Sequence, residues 1–236
     1  MTQTHMSTAE QGSFSDDLIQ YIQPYRQEVI DCRFLTELAQ GVLSVRHCRA
    51  WVSQQYHYVH QFPGWLGMTL HKVDDADCRK ALLSNLYEER SHPALWMRFA
   101  TAWGLSEDEI SGSVLCPEMQ ALNDYLGLLA FEGSAAECGA ALCMALEGIS
   151  RSIIEVVSPA LFKHYNGRDG INLDKGSLAW LTVHSDVDPQ HGHEGATLVN
   201  RYATTPELRA GAKFAARRAL EFLRLGFDGV HRRYRD

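Results

Sequence analysis

The chain has 236 residues, of which 45% are hydrophobic and 22% charged, and a formal net charge of −7. That length and balance suit a globular chain with a sizeable core. The charge argues against nucleic acid or an anionic membrane as the main partner, and no apolar run approaches the roughly 20 residues needed to span a bilayer.

The N-terminus, MTQTHMSTAEQGSFSDD, is polar and lacks the basic start and apolar middle of a secretory signal. A cytoplasmic protein is therefore expected, with residues 1–14 as a flexible tail and 15–236 as a single domain. From Asp16 the pattern turns helical, and Pro24 can open a second helix. YRQEVIDCRFLTELAQ then closes at Gly41. Ser44 can cap a long helix through VRHCRAWVSQQYHYVHQF, with a kink expected at Pro63–Gly64. Asp74 or Asp75 starts CRKALLSNLYEER. Pro93 opens ALWMRFATAW, which stops at Gly104, and Pro117 opens MQALNDYLGLLAF, which stops near Gly133.

From Ser134, AAECGAALCMALEGISRSIIEVVSPALFKHY is small and apolar nearly all round, as a central buried helix would be. NGRDGINLDKGS is the clearest loop. TPELRAGAKFAARRALEFLRLGFDGVHRRY forms a last amphipathic helix with a basic outer face. No stretch alternates long enough to read as a strand. The predicted architecture is an all-α bundle of about seven helices with a core lined from several of them.

The chemistry concentrates in LTVHSDVDPQHGHEG. On a helix, His184, Asp188 and His191 fall on one stripe, because offsets of four and seven return to the same face. Two imidazoles and a carboxylate on one stripe suit a divalent metal of the iron, manganese or zinc kind. Glu89 and His92, three apart, share a face, as in the Glu-x-x-His of two-metal carboxylate bundles. Glu147 stands alone in an apolar run, where an unpaired carboxylate is costly. A structural ion pair with Arg151 is the competing reading of Glu147, and Glu88 competes with Glu89. Pro189 disfavours a straight helix through the triad and pushes Asp188 from helical geometry. Asp186 and His193 face away and are the first substitutes if the register rotates.

Other features read as ordinary. The aromatic run Trp51, Tyr56, Tyr58, Phe62, Trp65 is expected to be core, and His57 and His60 to be hydrogen-bonded histidines. The six cysteines, with no CxxC pair, read as buried thiols. Cys138 and Cys143 carry no adjacent basic residue that would activate them.

Taken together, NLYEERSHPALWMRFATAWGL, the buried Glu147 and His184-x-x-x-Asp188-x-x-His191 resemble the haem-oxygenase-like diiron oxidases and oxygenases. The likeness runs from about Leu43 to the C-terminal helix, and the fold is shared with thiaminase-type and pyrroloquinoline-quinone-synthase-type proteins. It implies a haem-oxygenase-like bundle and a dimer. Glu89, His92, Glu147, His184, Asp188 and His191 become ligands of two irons, with Glu147 a candidate bridge and no catalytic group beyond the ligands. It also implies dioxygen as co-substrate, an external electron donor and oxidation of a small amine- or amino-acid-derived molecule, by N-oxygenation or oxidative carbon–carbon cleavage, in natural-product biosynthesis. The alternative on the same fold is a metal-independent, thiaminase-like or cofactorless enzyme. The branch that makes p-aminobenzoate from its own tyrosine carries two tyrosines and a lysine where this chain has Leu146, Trp180 and Val157, which argues against that reaction here.

Overall fold

The computed structural model describes residues 13–186 and 188–234, with the side chains of 185–193 excepted. Among them the chain is helical throughout, with no strand. The expected tail lies outside the described residues except for its end. Ser13 caps α1 (Phe14–Ile30) through a reciprocal capping box with Asp16. Pro24 opens no new helix and sits inside α1. The break comes at Asp31–Cys32, before α2 (Arg33–Ala39).

Gly41 follows in the left-handed region at φ +70°, as a helix terminator should. Ser44 caps α3 (Val45–His71), which continues through Pro63. Asp75, rather than Asp74, caps α4 (Ala76–Glu89) by accepting from the backbone of Asp77 and Cys78. α5 (His92–Ala102) begins with Pro93 in its first turn, and Gly104, at φ +78°, follows its end. A short α6 (Glu107–Ser111) leads to α7 (Pro117–Glu132).

The central rod begins at a Ser134–Glu137 capping box with α8 (Ala135–Cys138). It widens into a π-helical stretch, Gly139–Glu147, continues as α9 (Gly148–Ala160) and ends in a second π stretch, Leu161–Tyr165. All nine residues of Gly139–Glu147 are buried. The wider turn shows where the Gly148 N–H donates to the Cys143 carbonyl, five residues back, and where Arg26 of α1 donates to the Met144 carbonyl. After the predicted loop come α10 (Ala179–Asp186), α11 (Asp188–Tyr202) and α12 (Pro206–Arg233). The chain therefore has more helical segments than the seven expected, because short helices and the divided rod were read as single runs.

Packing follows the sequence pattern. The rod lies between α11 and α12, α7 packs on α3 and α12, and α10 lies against α5 and α9. Small residues permit the closest approach. A Cβ built on Gly195 of α11 would stand 2.9 Å from Cys143 Cβ and 3.2 Å from the Met144 backbone nitrogen. No helix among the described residues is long and apolar enough to cross a membrane.

Gly195→Ala should push α11 off the rod and destabilise the fold by about 1–3 kcal/mol, the usual cost of overpacking. Urea unfolding measures this, and a variant as stable as the parent would contradict the contact.

Candidate metal centre

Three described side chains offer ligand atoms within 4.8 Å of one another: Glu89, His92 and His184. Glu89 ends α4 and His92 opens α5, so the short turn between the helices preserves the predicted three-residue offset. Both are buried, whereas Glu88 is half-buried and outside this group. His92 Nδ1–H donates to Glu89 Oε2 at 2.6 Å. His184 arrives from α10. Its Nδ1–H donates to the Trp180 carbonyl at 2.9 Å, which leaves the Nε2 lone pair facing the group, 4.0 Å from Glu89 Oε1. The two imidazoles lie 4.5 Å apart, centroid to centroid.

Glu147 closes the first π stretch with 4% exposure. Arg151 is not its partner, since that guanidinium pairs with Glu155 in solvent. Instead Asn85, one turn before Glu89, donates to Glu147 Oε2 at 2.9 Å. Burial pushes the Glu147 carboxyl well above the ordinary carboxylate range, and the charges of Glu89 and Glu194 push it further, against the Asn85 hydrogen bond.

Asp188 and His191 lie outside the described residues as far as their side chains go, as do the substitutes Asp186 and His193. α10 is described to Asp186 and α11 from Asp188, and the junction at 187, on which the expected break before Pro189 turns, lies outside the described residues.

Sequence reasoning missed Glu194, Asn85 and Gln55. Glu194 is 5% exposed and acts electrostatically on both Glu147 and Cys143. Its signal was its offset of three from His191, the same spacing that links Glu89 to His92. The expected core aromatics are found: Trp51, Phe62 and Trp65 are buried in the core and Tyr56 and Tyr58 pack against it. Trp51, Tyr58 and Phe62 also line a cleft that reaches Glu89, Glu147 and His184. Leu146, Val157 and Trp180 line the same cleft. His57 binds the Ser113 hydroxyl and His60 stacks on Tyr56, both away from the site.

A cation fits this set. Carboxylates from Glu89, Glu147 and Glu194 converge in a buried region, where like charges oppose one another unless something positive lies between them. The buried Asn85 Oδ1 beside them has no hydrogen-bond partner. Imidazole and carboxylate together are the donors that iron accepts.

A family model for iron-containing redox enzymes matches residues 49–224. The chain belongs to the iron-containing redox enzyme family. It is similar to the 4-aminobenzoate synthase of Nitrosomonas europaea, with 27% identity over 215 residues, 85% of each chain. In fold it resembles a TenA homologue from Pseudomonas syringae, with a TM-score of 0.82 at 20% identity over 98% of each chain. It likewise resembles a haem-oxygenase-like protein from Shewanella denitrificans, with a TM-score of 0.78 at 15% identity, covering 97% of this chain and 94% of that one. The expected haem-oxygenase-like, all-helical architecture is thus found, and as a member of this family the chain is an oxidoreductase.

The raised Glu147 carboxyl has a definite consequence for the metal-free protein. Its ordinary value is 4.5, so its contribution to stability is fully present below that pH and is lost as pH rises toward the raised folded value. Metal-free Glu147→Gln should therefore exceed the metal-free parent in stability at pH 7 and match it near pH 4, as measured by urea unfolding. No gain at pH 7 would contradict the burial of opposed charges.

Proposed function

We propose that the chain is a non-haem diiron oxidase or oxygenase. Glu89, His92, Glu147 and His184 would hold the irons, with Asp188 and His191 supplied by the start of α11. The observation that carries this reading is the convergence of Glu89, His92 and His184 from α4, α5 and α10, with Glu147 beside them on the rod. When bound, two ferrous ions would supply the electrons that reduce dioxygen.

The chain's own residues do the rest. The Trp180 carbonyl fixes the His184 tautomer, and Asn85 orients the Glu147 carboxylate. Apolar walls around the cleft exclude water from the oxidising end. Similarity to 4-aminobenzoate synthases supports the redox chemistry. Leu146, Trp180 and Val157 all face the cleft and give it a character of its own, which favours a substrate that enters over a sacrificial tyrosine. The substrate we propose is a small amine- or amino-acid-derived molecule, oxidised at nitrogen or by carbon–carbon cleavage. A homodimer in the cytoplasm, an external electron donor and a natural-product pathway complete the reading.

The metal-independent alternative needs a reactive cysteine. Cys143 and Cys138 are both buried, and burial pushes both thiols up, Cys143 well above the ordinary thiol value, so neither is held as a thiolate.

Anaerobic ferrous loading should give about two irons per chain, the stoichiometry of such carboxylate bundles. His184→Ala should lose at least one of them and abolish oxygen consumption by the loaded protein. Fewer than about one iron in the parent, with oxygen consumption intact in chelator, would overturn the proposal.

A further inference from the structure

The cleft beside the metal-binding group has one polar end and a body of aromatic and aliphatic walls. No lysine or arginine lines it among the described residues. A carboxylate carried into that body would lose its hydration and gain no opposite charge, and an ammonium would find one only at the Glu89 and Glu147 end.

Gln55 stands out against those walls. It lines the cleft, is 8% exposed, and its side-chain amide has no hydrogen-bond partner among the described residues. Its neighbour Gln54 shows what a structural glutamine does here. Gln54 Nε2 donates to the Val114 carbonyl at 2.9 Å, and Oε1 accepts from the Cys116 N–H at 2.7 Å, tying α3 to the start of α7. Consecutive residues on a helix point about 100° apart. One glutamine therefore serves the fold, and the other faces the cleft with both donor and acceptor unused. An amide that meets only the cleft is matched in a single contact by a bound group with its own donor and acceptor. Tyr58, three residues on and on the same face of α3, also lines the cleft and lies within electrostatic reach of Glu147 and Glu89. Gln55 thus stands about one helical turn before the residue that reaches the metal end.

We propose that Gln55 determines specificity by reading a neutral group that both donates and accepts, such as a carboxamide, on an otherwise apolar substrate. The part of the substrate in the cleft body then carries no free carboxylate or ammonium. This rests on the reading of the cleft as the place where substrate meets the metal. An amine- or amino-acid-derived substrate would arrive with its charges masked as amides, leaving only the end at Glu89, Glu147 and His184 to be oxidised.

Four probes of one skeleton test this: 4-phenylbutanamide, 4-phenylbutanoate, 4-phenylbutylammonium and butylbenzene. Binding to the full chain is measured by calorimetry and by quenching of tryptophan fluorescence, metal-free and after anaerobic ferrous loading, with iron counted in each sample. The metal-free parent should bind the amide about tenfold more tightly than the carboxylate. Gln55→Leu should weaken the amide by about tenfold and leave butylbenzene unchanged, which also shows that the cleft is intact. Gln55→Glu should weaken the amide and strengthen the ammonium relative to the parent, and this arm decides if the leucine variant fails to fold. A carboxylate probe that binds the parent as tightly as the amide, or an amide affinity unmoved by either substitution, overturns the proposal. Amide preference without iron uptake overturns the diiron reading alone, and iron uptake without amide preference overturns this one alone.

Discussion

Mutual repulsion among buried carboxylates is the constraint around which the structure is arranged. Glu89, Glu147 and Glu194 come from α4, the rod and α11, and each is at most 5% exposed. Hydrogen bonds from Asn85 and His92 offset part of the cost but leave negative charge concentrated in a low-dielectric interior. Such a cluster is tolerable if it is neutralised by protons or by a cation. An interior that spends stability in this way does so for chemistry, since well-packed apolar residues of similar volume would hold the same helices more firmly.

The fold meets this constraint through unremarkable local rules. Caps at Ser44, Asp75 and Ser134 and prolines at the starts of α5 and α7 fix where each helix begins, and hence which way each buried carboxylate and imidazole faces. The rod is the exception. Its π turns insert additional residues per revolution, and a regular α-helix would place Glu147 differently relative to Cys143 and Met144, which meet α11. His184 comes from α10 and Glu194 from α11.

Much of this was legible in the sequence. Helix starts were readable because capping side chains and first-turn prolines are local signals, and the pairing of Glu89 with His92 because a three-residue offset survives a tight turn between helices. The buried state of Glu147 followed from its apolar neighbours alone. Other features depended on the third dimension. Pro24 looked like a boundary, yet α1 runs through it. Arg151 sits one turn from Glu147 but points to Glu155. Gln54 and Gln55 are identical as letters, and only packing separates the one that braces α3 from the one that faces the cleft. The aromatic residues of α3 were legible as core, but not that Trp51, Tyr58 and Phe62 also border a cleft, because a buried face does not say whether it meets protein or empty space.

Neighbouring positions on the rod divide their duties, and this bears on how such a protein could diversify. Leu146 borders the cleft, Glu147 sits with the ligand group, and Cys143 and Met144 meet α11 on another side. A change at Leu146 reshapes the chamber while the adjacent carboxylate and the helix contact behind it stay in place. Selection could thus retune the choice of guest one side chain at a time, with the reactive core inherited intact.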